Sequence, residues 1–257
     1  MKLDCVLTAV NENPSYLDFV PIFIKTWNKL YPDVDVKIVL IAKNIPDNLL
    51  SYKNNIIVFE PIDNISTAFT AQFIRNLYPC ILNYKNGVMI TDIDNLPMNT
   101  TYFTKNIENI SDNKWVNLRD WRRSNQICMM WQVAKIDTWK QVFHIENLQD
   151  ITDTILSVNN TINYVDGSFH GAWFTDQHFL YDKVMKWNEK TNNYLFLKDR
   201  ETKYQRLCRS NIRRHGFNDD TRKNITEGVY SDYHALTPMS KHSKINWEIY
   251  NLLPTKK

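Results

Sequence analysis

Two carboxylates stand one residue apart directly after a short apolar run. The run covers residues 88–90, and the carboxylates are Asp92 and Asp94. Such a run predicts a buried strand, from whose carboxyl end both side chains would project. Two ionised carboxylates this close need a compensating cation or free access to water. Because carboxylate oxygens are hard ligands that suit Mg²⁺ or Mn²⁺, the pattern predicts a divalent-cation site, with a solvated polar turn as the alternative.

The segments before this pair alternate between short apolar runs and amphipathic stretches. Strands are predicted at residues 3–10, 36–42, 56–61 and 88–90, and helices at residues 16–30 and 67–84. This alternation is typical of βα units around a mainly parallel sheet. The carboxyl ends of neighbouring parallel strands meet at one sheet edge, where α/β proteins bind their ligands. We therefore expect Asp92 near the middle of the sheet, close to the end of the first strand.

The pattern changes after residue 98. Strands are predicted at residues 115–118 and 126–134, and helices at residues 102–110, 136–144, 150–158 and 174–187. From residue 195 onward the chain is polar and basic, which predicts irregular structure. No internal repeat or low-complexity linker divides the sequence. The predicted fold class is therefore α/β, with a mixed, mainly parallel central sheet flanked by helices in a single compact unit of residues 1–257.

Composition limits the partners and the location. The 257 residues are 43% hydrophobic and carry a net charge of +3, which predicts a globular chain and no nucleic-acid partner. No window approaches the roughly 20 apolar residues of a membrane span, and the first residues lack the pattern of a signal peptide. The four cysteines match neither a zinc nor a redox spacing. We therefore expect reduced thiols, no membrane span and a cytoplasmic location.

An ordered set of motifs along the chain resembles the GT-A-fold glycosyltransferases. Its members are Thr8-Ala9-Val10, the segment 66–79, the segment 90–94, Trp173-Phe174-Thr175-Asp176-Gln177 and Ser231-Asp232-Tyr233-His234. The wider set is similar to the amino-terminal glycosyltransferase domain of chlorella-virus capsid-glycan synthesis proteins, over almost the whole chain. The resemblance implies a Rossmann-like GT-A fold, with a nucleotide-binding half at residues 1–98 and an acceptor-binding half at residues 99–257. It also implies a metal-dependent glycosyltransferase with a nucleotide-sugar donor, a UDP-sugar, a glycan acceptor and, if viral, a location in the host cytoplasm.

The resemblance further implies roles for individual residues on the donor side. Asp92, Asp94 and His234 would hold Mn²⁺ or Mg²⁺, and His242 is the second candidate for the histidine ligand. Lys241 would meet the diphosphate, and Arg75 would face the diphosphate or the donor sugar. The full set of nucleotide-binding candidates comprises Thr8, Ala9 and Val10 at the base, together with Arg75, Asp92, Ile93, Lys241 and His242.

Asp176 is the candidate for the group that accepts a proton from the acceptor hydroxyl. It stands at a predicted helix start, where an aspartate is also common for capping alone. The resemblance favours Asp176 as the catalytic base; in an enzyme that retains configuration it would orient the acceptor instead. Trp173 and Gln177 are the predicted acceptor-binding residues, beside a glycine-containing loop at residues 167–171 that includes His170.

Several other groups have both a structural and a functional interpretation. Trp121 and Trp131 could stack on a sugar, although packing is the commoner role of tryptophan in α/β proteins. The basic cluster at residues 206–215 could meet an anion, but a solvated face is the preferred interpretation.

Two other functions are compatible with parts of the sequence. A phosphohydrolase of the haloacid-dehalogenase kind would use Asp92 as nucleophile and Asp94 as acid and base. There the motif normally closes the first strand, whereas here it follows a later one. A non-catalytic sugar- or nucleotide-binding module is the third interpretation, because the same residues would bind a nucleotide without turnover.

Overall fold

A computed structural model describes residues 1–123, 125–165 and 171–254 of the chain. Within these residues the strands form three sheets. Their bounds are β1 Leu3–Asn11, β2 Asp35–Ile41, β3 Ile56–Phe59, β4 Gly87–Ile90, β5 Asn95–Pro97, β6 Trp115–Asn117, β7 Arg122–Arg123, β8 Gln126–Ile127, β9 Gln132–Lys135, β10 Tyr194–Phe196, β11 Arg206–Cys208 and β12 Asp232–His234.

The largest sheet has seven strands in the order β10-β6-β9-β4-β1-β2-β3. Four of its six strand pairs are parallel, and the two pairs that involve β9 are antiparallel. The predicted mixed, mainly parallel α/β sheet is confirmed. Strand β4, which leads into the aspartate pair, is the fourth of the seven and lies directly beside β1, as expected. Strands from both halves of the chain therefore form one continuous sheet.

Helices cover both faces of this sheet. Their bounds are α1 Pro14–Leu17, α2 Val20–Leu30, α3 Thr67–Ile74, α4 Tyr102–Lys105, α5 Ile136–Phe143, α6 Leu148–Asn159, α7 Thr175–Thr191, α8 Asp199–Thr202, α9 Arg209–His215, α10 Asp219–Thr226 and α11 Met239–Leu252. Short 3-10 turns occur at Asp47–Tyr52, Tyr78–Ile81 and Gly171–Phe174. None of the helices in the described residues combines the length and apolar character needed to span a lipid bilayer.

The alternation of side chains along β1 divides the core in two. Val6 packs in one cluster with Trp27 of α2 and Trp131. Its neighbour Leu7 packs on the opposite face with Phe73 of α3. Because successive strand residues point to opposite faces, one buried strand supplies both cores, and it is rigidly held between them.

Three predicted helices are shorter than expected: the one predicted over residues 102–110 ends at Lys105, and the other two are limited by a proline. The helix predicted over residues 16–30 is divided into α1 and α2, and Pro21 stands in the first turn of α2. The helix predicted over residues 67–84 begins as expected, with Ser66 accepting hydrogen bonds from Ala68 N and Phe69 N, but ends at Ile74. Pro79 lies in the 3-10 turn that follows. Proline has no N–H to donate to the carbonyl four residues earlier, so Pro21 is accommodated only in the first turn of a new helix, and α3 ends before Pro79.

The prediction of irregular structure after residue 195 is wrong. Strands β11 and β12 form a three-stranded sheet with β5, in the order β11-β12-β5, and α9, α10 and α11 pack around it. Each of these strands has three residues, which is too short for an alternating pattern to be recognised. The strand predicted at residues 126–134 is also wrong in part, because it is interrupted between β8 and β9.

Candidate functional site

The aspartate pair occupies a turn between two sheets. Thr91 N donates a hydrogen bond to Leu7 O at 3.1 Å, which ties the end of β4 to β1. Asn95 N donates to Asp92 O at 3.1 Å and closes the turn, after which β5 enters the three-stranded sheet. Strand β1 continues to Asn11 beyond its last pairing with β4, at Leu7. This gap between neighbouring strand ends is the kind of crevice where α/β proteins bind ligands.

Asp94 is nearly buried and lies between two basic side chains. Its Oδ2 is 3.0 Å from Arg209 Nη1 and 3.5 Å from His234 Nε2. Burial alone would raise the pKa of Asp94, but the hydrogen bond and charge of His234, with Arg209 and Arg206, hold it below its usual range. Conversely, burial would lower the pKa of His234, and Asp94 raises it. Asp94 is therefore a carboxylate that stays ionised at neutral pH.

Asp92 is more exposed, with 31% of its side chain accessible, and has different partners. Its Oδ1 forms an ion pair with Arg75 Nη1, and its Oδ2 accepts a hydrogen bond from Asn95 Nδ2 at 3.1 Å. The two carboxylates of the motif are thus each neutralised by a separate arginine.

Asp176 lies at the start of α7, as predicted, and is 5% exposed. Its Oδ2 accepts from Arg75 Nη2 at 3.2 Å, and its Oδ1 accepts from Gln177 N at 2.9 Å. The hydrogen bond from Asn76 Nδ2 to Asp176 O, at 3.2 Å, fixes the helix start against the end of α3. Burial raises the pKa of Asp176 to about 7, against the opposing charge of Arg75. A carboxyl with a pKa near neutrality is suited to proton transfer.

His234 is positioned by strand pairing. It lies opposite Asn95 of β5 and opposite Cys208 of β11, so the small sheet presents it to the turn that carries Asp94. The anchor of this sheet is Asp232, which is fully buried. Its carboxylate accepts hydrogen bonds from Arg206 Nη2 at 2.6 Å, Tyr204 Oη at 2.6 Å and Trp131 Nε1 at 2.9 Å.

The donor chemistry of Asp92, Asp94 and His234 fits Mn²⁺, since two carboxylates and one imidazole are acceptable ligands for that ion. Asp94 and His234 are already in contact. Among the described residues, however, no group of three or more His, Cys, Asp or Glu side chains is close enough to hold a metal ion. Asp92 is instead paired with Arg75. The three-residue metal set stays a prediction, and it requires the Asp92 carboxylate to exchange Arg75 for the ion.

The segment predicted to contact the base lies at the end of β1. Thr8, Ala9 and Val10 are all buried, with at most 8% exposure. The hydroxyl of Thr8 is buried without a hydrogen-bond partner among the described residues. Ile93, between the two aspartates, is also buried, at 4% exposure. These side chains shape the floor of the crevice, so contacts to a nucleotide would come chiefly from backbone groups.

The remaining predicted residues are spread more widely. Trp173, in the 3-10 turn before α7, and Gln177, in the first turn of α7, are both half-buried. Gln177 Oε1 is buried without a hydrogen-bond partner in the described part of the chain. Lys241 is exposed and His242 is half-buried in the first turn of α11. No hydrogen bond or ion pair within the described ranges joins either of them to the aspartates. Residues 167–170 of the predicted acceptor loop, His170 included, lie outside the described residues.

Three residues of the site were not predicted. Arg206 and Arg209 were interpreted as part of a solvated basic face, and this is wrong because they pair with Asp232 and Asp94. Tyr16 is the third: it is 37% exposed, and the burial of the rest of its side chain, followed by the charge of Asp94, raises its pKa. The position of Tyr16 shortly after the end of β1 was the sequence feature that could have predicted its place near the site. Trp131 is fully buried in the core, so only its packing interpretation holds.

No protein-family model and no curated protein matches the chain. Among solved structures, the chain is similar to the glycosyltransferase GlyE of Streptococcus pneumoniae TIGR4, with a TM-score of 0.52 and 15% identity over 97% of this chain and 60% of GlyE. It also matches the galactosyltransferase LgtC, solved with donor and acceptor sugar analogs, with a TM-score of 0.49 and 11% identity over 98% of this chain and 97% of LgtC. The chain therefore has the mixed α/β fold of GT-A glycosyltransferases, as its motifs implied.

Proposed function

We propose that the protein is a metal-dependent glycosyltransferase that moves a sugar from a UDP-sugar to a hydroxyl of a glycan acceptor. The observation that carries the proposal is the convergence of Asp92, Asp94 and Asp176 around Arg75 and His234 at one edge of the central sheet. A GT-A-like fold supports the same reaction class. A place in viral glycan synthesis stays a prediction from sequence resemblance.

The donor would bind in the crevice between the ends of β1 and β4. Glycosyl transfer leaves a nucleoside diphosphate on which negative charge grows in the transition state. A divalent ion held by Asp92, Asp94 and His234 would supply Lewis-acid stabilisation to this leaving group. With Asp92 as a metal ligand, Arg75 would stay beside the site as a second positive charge, in the role predicted for it at the diphosphate or donor sugar.

The acceptor would approach from the start of α7. The guanidinium of Arg75 pairs with both Asp176 and Asp92. An acceptor hydroxyl bound at Asp176 would therefore also lie near the donor site. With inversion, Asp176 Oδ takes the hydroxyl proton while the acceptor oxygen attacks the anomeric carbon. With retention, the same carboxyl orients the acceptor. Its burial excludes water, which would otherwise compete with the acceptor for the donor sugar.

The direct test is incubation of the purified protein with Mn²⁺ and a panel of nucleotide-sugars, followed by measurement of nucleoside diphosphate release. We expect slow release from one UDP-sugar without acceptor, faster release with an acceptor glycan, and loss of both with a chelator. Calorimetry gives the sharper negative result: no cation-assisted affinity for any nucleoside diphosphate would overturn the proposal. Cation-assisted binding without any sugar release would favour the non-catalytic module instead.

A further inference from the structure

A cavity of about 300 Å³ lies beside α7, away from the aspartate pair. It opens between the middle of this helix and the edge strand β10. Four aromatic side chains line it, namely Trp121, Tyr181, Tyr194 and Phe196. Tyr194 and Phe196 alternate along β10, so they present the same face of the sheet, and both are half-buried. Trp121 stands at the rim with 36% exposure. The end of the sheet is therefore an aromatic hollow rather than a closed core.

The polar groups in this hollow are uncharged. They are the amides of Asn117, Gln126 and Asn188, with the hydroxyls of the two tyrosines, and none of the described lining residues is an aspartate, glutamate, lysine or arginine. Amides both donate and accept hydrogen bonds, as sugar hydroxyls do. Aromatic faces combined with a few placed amides suit an uncharged ligand that has apolar faces and polar edges. Nothing in this lining would compensate the charge of a nucleotide or an acidic glycan.

One of the lining amides has an unpaired acceptor. Oε1 of Gln126 is buried and has no hydrogen-bond partner within the described residues; the same holds for Oε1 of Gln177, which lies in the first turn of α7 outside the cavity lining. The Gln126 side chain is held in place, since its Nε2 lies 2.9 Å from His178 Nε2. Buried acceptors are normally satisfied, and hydroxyl donors from a ligand would satisfy them.

Helix α7 connects the hollow to the candidate active site. Gln177, Tyr181 and Asn188 are separated by four and seven residues, so they lie on one face of the helix, about 100° around the axis from Asp176 in the first turn. With a rise of 1.5 Å per residue, Tyr181 and Asn188 lie roughly 8 and 18 Å along the axis from Asp176. A ligand that reaches from Asp176 into the hollow is therefore a chain of sugars rather than a single ring.

We propose that this cavity is a subsite for a neutral oligosaccharide acceptor, and that it binds the sugar residues distant from the reacting hydroxyl. The proposal rests on the proposed glycosyl transfer and extends it: the acceptor is an uncharged chain that lies along α7 from Asp176 to the aromatic hollow. The cavity would thereby select for acceptor length, while the donor site selects the sugar that is transferred.

The first test is direct binding, which does not depend on turnover. The probes are neutral gluco-, galacto-, manno- and xylo-oligosaccharides of one to six residues, with an oligogalacturonate series as the anionic comparison, followed by saturation-transfer NMR and calorimetry. We expect at least one neutral series to bind, with affinity that rises with length. Absence of binding by every neutral series, or stronger binding of the anionic series, overturns the proposal.

Variants at the rim locate the binding. Trp121→Ala should weaken the longer oligosaccharides about tenfold, whereas Trp121→Phe retains most of the affinity because the stacking face remains. The matched control is Leu148→Ala, which removes an apolar side chain that is 52% exposed on α6 and outside the cavity. Unchanged oligosaccharide affinity in Trp121→Ala would place the ligand elsewhere.

The same samples separate this proposal from the proposed function. Titration with UDP and Mn²⁺ reports the donor site alone, and Trp121→Ala should leave that affinity unchanged. In transfer assays the variant should raise KM for long acceptors only, with the rate on a monosaccharide acceptor preserved. Oligosaccharide binding without cation-assisted UDP binding would contradict the proposed transferase function but not the proposed subsite. Donor turnover with an equal KM for short and long acceptors would contradict the proposed subsite but not the proposed transferase function.

Discussion

Arg75 Nη2 lies 3.2 Å from Asp176 Oδ2, although the two residues are 101 positions apart in the chain. The other terminal nitrogen of the same guanidinium pairs with Asp92. Arg75 is 6% exposed, and the charges of Asp92 and Asp176 raise its pKa against the effect of burial, which is the largest single cause and acts in the opposite direction. One buried cation thus links the candidate donor site to the candidate acceptor base.

Replacement of Arg75 by methionine should show what this link contributes. The change leaves the buried Asp176 without its cation, and breaking a buried pair in this way costs about 3–5 kcal/mol of unfolding free energy when the carboxylate must stay ionised. At pH 5 Asp176 is protonated, so the loss should be smaller than at pH 8. Urea unfolding at both values measures it. Arg200→Met, at an exposed arginine of α8, is the control, and an equal loss at the two pH values would contradict this account.

Asp176 should also make the stability of the native protein depend on pH. Its pKa is about 7 in the folded chain against 3.8 in the unfolded one, so the folded state binds the extra proton in the window between them. The free energy of unfolding therefore falls as pH rises through this window, by about 4 kcal/mol at most. Urea unfolding at half-unit pH steps, with Asp176→Asn as reference, isolates the contribution. A difference between the two proteins that does not change from pH 4 to pH 8 would contradict the assigned shift.

The position of the aspartate pair could be predicted because its signal is local. An apolar run of three residues sets strand β4, and the next carboxylates must lie at its end. The partners of Asp94 could not be predicted in the same way. Arg209 and His234 are 115 and 140 positions away, and they reach Asp94 through strands of three residues that carry no periodic pattern. Such contacts depend on tertiary packing rather than on local sequence.

The errors in the predicted helix lengths have a different cause. Pro21 and Pro79 are visible in the sequence, and each is sufficient to end a helix. The apolar periodicity was given more weight than these breaks. By contrast, α11 was missed because only three of its fourteen residues are buried, namely Met239, Asn246 and Ile249. A helix that buries so little has no continuous apolar stripe to recognise.

Substitution within the aspartate motif should separate nucleotide binding from transfer. Asp94→Ala removes a candidate ligand and the partner of His234, so we expect cation-assisted binding of UDP to be abolished. Asp176→Ala should keep that binding and lose transfer, because it removes only the proposed acceptor base. Calorimetry with UDP and Mn²⁺, with the exposed Asp153→Ala as control, measures the first effect. Transfer retained by Asp176→Ala would remove this residue from the mechanism.

Asp232 offers a test of how the small sheet positions His234. Its buried carboxylate is held by Arg206, Tyr204 and Trp131, and it is two residues from His234 on β12. Asp232→Asn leaves the Arg206 cation without its counter-charge, so we expect a loss of about 3–5 kcal/mol in unfolding free energy. Tyr204→Phe removes one hydrogen bond to the same carboxylate and should cost only about 1 kcal/mol. If the sheet positions His234, cation-assisted UDP affinity should fall in the same order, with Asp232→Asn weakest. Full UDP affinity in a folded Asp232→Asn variant would show that His234 does not depend on this anchor.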